Sequence, residues 1–148
     1  MVRPSPPTEL PDGLHVAFAG ASGAVGRHLT RLLCASPAVA SVYAWQRRPE
    51  PAPCNTWHVL PFADDALQSP VQAFACALGT TLKVAGSRSA FRAVDVDAVV
   101  ARARDARQAG ARVAVVVSAV GASPRAAAFY SRCKGEMEDA LGDLGFDS

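Results

Sequence analysis

Three glycines stand three residues apart where an apolar run gives way to a helical pattern, and this junction constrains the fold more than any other feature of the chain. The stretch is LHVAFAGASGAVGRHL, with Gly20, Gly23 and Gly26 in a GxxGxxG spacing. A buried strand enters the turn and an amphipathic helix leaves it, which is the context such a triplet needs to carry meaning. Gly20 permits the tight turn, Gly23 lets backbone approach a ligand closely, and Gly26 lets helix and sheet pack without an intervening Cβ. The N–H groups of Gly20, Ala21, Ser22, Gly23, Ala24, Val25 and Gly26, together with the helix dipole, favour a negatively charged group such as a pyrophosphate. A tight strand-to-helix turn in a protein rich in small residues is the alternative. A P-loop is excluded, because the Gly-Lys-Ser/Thr ending is absent.

The rest of the chain continues the alternation. VASVYAWQ (Val39 to Gln46), TWHVLPF and VQAFACALG read as strands, the last ending at Gly79. A long helix is predicted from Ser87 to Gln108, capped by Ser87 or Ser89 and stopped by Gly110. RVAVVVSAVGA reads as a fifth strand, its continuous valine run suggesting a sheet covered on both faces. A last helix follows from Pro124 to Leu144. The order β-α-β-β-β-α-β-α predicts an α/β protein: a Rossmann-type, doubly wound parallel sheet in three α/β/α layers. Only about ten residues separate strands three and four, near the lower limit for a parallel crossover. A degenerate helix or extended loop is expected there, around Ala63 to Ser69. Residues 1–12 are Pro-rich and read as a mobile tail, and residues 13–148 as one nucleotide-binding domain.

Composition excludes several classes. The chain has 148 residues, is half hydrophobic and carries a net charge of +2, too little to argue for nucleic acid. No apolar run approaches the ~18 residues of a membrane span, and the N-terminus has no apolar core of signal-peptide length. Cys34, Cys54, Cys76 and Cys133 form no ligand cluster with His15, His28 or His58, so no metal is expected. Reduced thiols in a cytoplasmic protein are the expectation. Thirteen of the fifteen basic residues are Arg, which makes the two lysines, Lys83 and Lys134, stand out from surface filler.

The tip of the second strand selects between cofactors. An acid there favours NAD, whereas arginine accommodates the 2′-phosphate of NADP. This chain has Gln46, Arg47 and Arg48, so NADP is preferred over NAD, with a solvated basic loop partly neutralised by Glu50 as the alternative. Tyr130 and Lys134 stand four apart in the last helix and share a face. A nearby cation favours the phenolate and lowers the pKa of a tyrosine, and Ser118, closing the fifth strand, can hold a substrate carbonyl. Ser118, Tyr130 and Lys134 are therefore the candidate catalytic set, and a solvated helix face is the alternative for the pair.

GASGAVG, VSAVGA and YSRCK together resemble an atypical short-chain dehydrogenase/reductase. More narrowly, CALGTTLKVAGSRSAFRAVDVDAVVARARDARQAG resembles oxidoreductases related to the HIV Tat-interacting tumour-suppressor protein, including bacterial ones. That resemblance implies that Gly79, Thr80 and Thr81 line the nicotinamide side of the crevice, with Lys83 nearby on a phosphate or on substrate. It also implies a sixth strand and pocket-forming structure after LGDLGFDS, so residues 13–148 are expected to be a domain truncated before its substrate-binding part, with strand five at a sheet edge; a partner covering that face or a degraded gene product is the alternative.

The function expected is NADPH-dependent reduction of a small carbonyl compound by hydride transfer. The alternatives are a non-catalytic NADP(H)-binding regulator acting through a protein partner, and a fold relic with no tight ligand. No nucleic-acid or membrane partner is expected, and the helices spanning 87–108 and 124–144 could pair in a homodimer.

Overall fold

The computed structural model describes residues 12–148, so all of the expected tail except Asp12 lies outside the described residues. Five strands form one sheet: β1 (Leu14–Ala19), β2 (Val39–Gln46), β3 (Trp57–Pro61), β4 (Ala73–Cys76) and β5 (Val113–Val116). Every pairing is parallel and the order is β3-β2-β1-β4-β5. The expected doubly wound α/β sheet is thereby found. The direction of winding reverses between β1 and β4, where a crevice opens beyond the carboxyl ends of the strands.

The helices are α1 (Ala24–Ala35), α2 (Leu82–Ala85), α3 (Arg88–Arg92), α4 (Val99–Gln108) and α5 (Phe129–Gly142), with a π-helical segment Ala93–Ala98 joining α3 to α4. β1 shows why the sheet needs two outer layers. Val16, Ala17, Phe18 and Ala19 are all buried, so both of its faces are covered. Phe18 packs with Val42, Ala44 and Trp57, backed by Leu29 and Leu33 of α1. On the other face Ala17, Ala19, Trp45 and Phe74 pack with Val99 and Ala103 of α4 and Met137 of α5.

Four local features differ from, or refine, the sequence expectation. The predicted helix from Ser87 is present, with the Ser87 hydroxyl accepting from the N–H of Ala90, but it changes pitch through the π segment. The last helix begins at Phe129, not Pro124. The chain at Ser123 and Pro124 crosses so close to Gly135 that a Cβ there would lie 2.1 Å from the Ser123 carbonyl carbon. Arg132 holds this segment outside the helix by donating to the carbonyls of Ala126 (2.9 Å) and Ala127 (3.2 Å).

β5 is one of the sheet's two edge strands, and its valines are not covered on both faces. Val113, Val115 and Val117 are exposed, while Ala114 and Val116 pack against the core. Its outer edge carries the last residues described: Asp147 N–H donates to Arg112 O, and Ala114 N–H donates to Ser148 O.

The short crossover between β3 and β4 has neither helix nor strand. Arg102 of α4 takes the place of a helix. Its side chain is buried, donates to Ala63 O (2.7 Å) and pairs with Asp64 and Asp105. The guanidinium lies over the rings of Trp45 and Phe62, at 5.4 and 5.3 Å. Burying an arginine this way is tolerable because its planar face is weakly hydrated and its edge finds acceptors.

Candidate functional site

The glycine turn leaves β1 at the point where the sheet order reverses. Gly20 has φ +94, and a Cβ on it would lie 2.4 Å from the backbone of Ala77 and Leu78. A Cβ on Gly26 would lie 1.8 Å from the carbonyl oxygen of Gly20. The fold alone therefore requires both. Gly26 is needed for contact within the turn, where close packing against the sheet was expected.

Gly23 is different. It is exposed and extended, and a Cβ on it would meet nothing nearer than 3.7 Å. No packing constraint accounts for a glycine there, whereas a ligand lying close against the backbone would. The start of α1 fits an anion as well. Gly23 offers no side-chain cap and the first turn holds no acid. Among the described residues, nothing accepts from the N–H groups of Ala24, Val25 and Gly26. Exposed helix-terminal donors of this kind attract phosphate oxygens.

A cleft of about 750 Å³ runs from this turn to the tip of β2. Gly20, Ala21 and Ser22 line one end and Arg47 and Arg48 the other. The two groups that sequence reading linked to one dinucleotide thus share one cavity. Glu50 lines the same cleft, its N–H donating to Gln46 Oε1 (3.1 Å). Arg27 and Arg31 of α1 add two guanidiniums that sequence reading missed, and Arg27 Nε donates back to Ser22 O (3.1 Å). Their signal was present: Arg27 follows Gly26 directly, and Arg31 is one helical turn further on.

The candidate catalytic residues lie outside this cleft's lining. Tyr130 and Lys134 are neighbours, with Lys134 Nζ 5.9 Å from the centre of the Tyr130 ring. Tyr130 is 42% exposed and also packs on Phe91, their ring centres 5.6 Å apart. Lys134 is buried, which a solvated helix face would not produce. Its ammonium is 2.7 Å from Asp95 Oδ1, an ion pair whose angles are not those of an aligned hydrogen bond.

Asp95 is itself buried and accepts from the N–H of Thr80 through Oδ2 (2.9 Å). This carboxylate, which sequence reading quoted but gave no role, ties the turn after β4 to α5. It sits in the π-helical segment, a conformation that recurs at functional sites. Gly79 lies directly over it, since a Cβ there would be 3.5 Å from Asp95 Oδ1. Lys134, Asp95, Gly79 and Thr80 therefore form one connected group.

Other expected residues are placed apart from that group. The Thr81 hydroxyl accepts from the N–H of Val84 (3.1 Å) and caps α2, the ordinary turn role. Lys83 is exposed on α2. Ser118 follows β5, and its hydroxyl is buried with no hydrogen-bond partner among the described residues.

The cysteines correct the expectation of four free thiols. Cys34 and Cys54 form a disulfide, with their Cα atoms 5.9 Å apart, while Cys76 and Cys133 are free and buried. Burial raises the Cys76 thiol from 9.0 to about 11, outweighing the N–H of Leu78 and the charge of Lys134, which lower it.

The fold is shared with solved short-chain dehydrogenase/reductase-type proteins. MoeE5, in complex with UDP-glucose and NAD, superposes with a TM-score of 0.70 at 19% identity, covering 88% of this chain and 48% of that one. Human epimerase family protein SDR39U1 with NADPH gives 0.64 at 17% identity, covering 86% of this chain and 48% of that one. At these identities the likeness establishes a Rossmann-type architecture and nothing finer.

Curated relatives come from fungi. Protein FMP52, mitochondrial, of Coccidioides immitis is 34% identical over 149 residues, or 88% of this chain and 61% of the relative. Its counterpart in Aspergillus clavatus is 37% identical over 145 residues, or 90% and 62%. The chain thus spans about three-fifths of the length of the relatives it matches. They carry the FMP52 name and not that of the Tat-interacting branch. Their names also overturn the cytoplasmic expectation, since each is described as mitochondrial. No family model matches the chain.

Proposed function

We propose that this chain is the cofactor-binding part of an NADP(H)-dependent oxidoreductase acting on a small carbonyl compound. The observation that carries the reading is the single cleft joining the glycine turn to Arg47 and Arg48. A nicotinamide cofactor, when bound, supplies hydride chemistry. The chain's own residues do the rest. N–H groups at the start of α1 take up diphosphate charge, and Gly23 leaves room for it. Arg47 and Arg48, with Arg27 and Arg31 close by, meet the 2′-phosphate that distinguishes NADP from NAD. Gly79 and Thr80, held by Asp95, form the wall on the nicotinamide side. The Ser118 hydroxyl holds the substrate carbonyl and the Tyr130 hydroxyl delivers the proton, with Lys134 one helical turn away. The relatives' names favour a mitochondrial setting.

A Tyr130→Phe variant tests the chemistry. Phe keeps the ring that packs on Phe91, and the Tyr130 hydroxyl makes no hydrogen bond among the described residues, so folding and NADP affinity should be retained. Carbonyl reduction should fall by at least about a hundredfold in kcat. Unchanged turnover removes Tyr130 from the mechanism.

A second reading is favoured by the buried Lys134–Asp95 pair: a nucleotide-binding regulator that turns nothing over. There Lys134 is purely structural, and NADP binds with no activity on any carbonyl compound. A homodimer through α4 and α5 remains a separate proposal, tested by sedimentation of the purified chain.

A further inference from the structure

We propose that the Cys34–Cys54 disulfide is a redox latch on the dinucleotide cleft, so that its reduction weakens cofactor binding. The inference rests on the cleft being the cofactor site. Residues 47–56, between β2 and β3, form neither helix nor strand. Five of them, Arg47, Arg48, Glu50, Pro51 and Pro53, line the cleft, and all five are exposed. The other fastenings sit at the two ends of the loop. The Glu50 N–H donates to Gln46 Oε1 at one end, and at the other Cys54 O accepts from the N–H of Trp57 (3.2 Å) and Thr56 O from the N–H of Val42 (2.8 Å). Among the described residues, no hydrogen bond runs from residues 47–53 to α1.

Cys34 lies near the end of α1, one turn beyond Arg31, which lines the opposite wall. The disulfide therefore joins the loop carrying Arg47 and Arg48 to the helix carrying Arg27 and Arg31. While it is intact, the four guanidiniums are held around one space, and little ordering is left for the ligand to impose. Once it opens, the loop must be ordered at the moment of binding, and affinity falls.

The chemistry balances with a dithiol as the reductant. One of its thiolates attacks a sulfur of the Cys34–Cys54 bond, forming a mixed disulfide. The second thiol of the reductant then displaces the protein sulfur. Cys34 and Cys54 finish as thiols with two electrons and two protons gained, and the reductant finishes as a disulfide.

The test uses the full chain in three forms: air-oxidised, reduced with excess dithiothreitol, and the Cys34→Ser/Cys54→Ser double variant. Thiol titration in denaturant should count two free thiols before reduction and four after it. Calorimetric titration with NADP⁺ should give an affinity about tenfold weaker for the reduced form than for the oxidised one. Reoxidation should restore it, and the double variant should match the reduced form and ignore dithiothreitol. Equal affinities in the oxidised and reduced forms overturn the latch while leaving the cofactor site standing, as do four thiols in the air-oxidised protein. No binding of NADP⁺ or NAD⁺ by any form overturns both.

Discussion

At the scale of single residues, the three glycines separate what the fold needs from what a ligand needs. Gly26→Ala places a methyl within 1.8 Å of the Gly20 carbonyl, so a loss of roughly 3 kcal/mol or more is expected. Gly23→Ala meets only ordinary contacts, so the melting temperature should stay within about 3 °C of the parent. NADP affinity should nonetheless fall about tenfold or more, because the methyl occupies the ligand's space. Calorimetry with and without NADP checks both halves. A Gly23→Ala protein that binds as the parent does would reduce the glycine triplet to a turn motif. Cys76 gives a second residue-scale expectation. The unfolded thiol releases its proton near 9 and the folded one near 11. Across that window the folded state holds the proton that the unfolded state has lost, so this residue makes stability fall as pH rises from about 9 to about 11. Cys76→Ala should remove that part of the alkaline slope in denaturant titrations.

At the scale of elements, the buried charges explain connections that the sequence pattern left thin. Arg102 fills the place of the missing crossover helix, and Lys134 with Asp95 joins α5 to the turn after β4. Removing one partner of a buried pair leaves the other uncompensated. Lys134→Met should therefore destabilise by roughly 3–5 kcal/mol, and Asp95→Asn made together with it should recover part of that loss. Denaturant unfolding of both variants decides the matter. A Lys134→Met protein as stable as the parent would mean that the pair carries no structural weight. The disulfide closes a stretch whose ends are 20 residues apart, so the double serine variant should lose about 3 kcal/mol. These cross-chain contacts were illegible in the sequence because no spacing rule brings Cys34 to Cys54 or Asp95 to Lys134. Once tertiary packing sets the distances, local pattern has no hold on them. The strand and helix alternation was legible, since hydrophobic period records burial directly. Pro124 misled the reading of α5, because its tolerance at a helix start says nothing about whether Gly135 draws the preceding segment across the helix.

At the scale of the whole molecule, the parallel, doubly wound sheet was recoverable from the sequence, whereas the order of its strands and the reaction were not. The GxxGxxG turn and the Arg47–Arg48 pair lie on successive elements of the β1-α1-β2 unit, so local topology suffices to bring them to one crevice. Ser118, Tyr130 and Lys134 depend on how the β5–α5 connection folds, which no local spacing in the sequence determines. The exposed valines of β5 mark the side of the sheet where the described residues offer no cover. If one cleft holds a dinucleotide and reads its 2′-phosphate, the two coenzymes must bind unequally. Titration calorimetry of the oxidised chain with NADP⁺ and with NAD⁺ tests it most directly. NADP⁺ should bind at least about tenfold more tightly, the preference shrinking as salt screens the guanidiniums and vanishing in an Arg47→Ala/Arg48→Ala variant. Uptake of neither nucleotide would mean that the cleft is not a dinucleotide site.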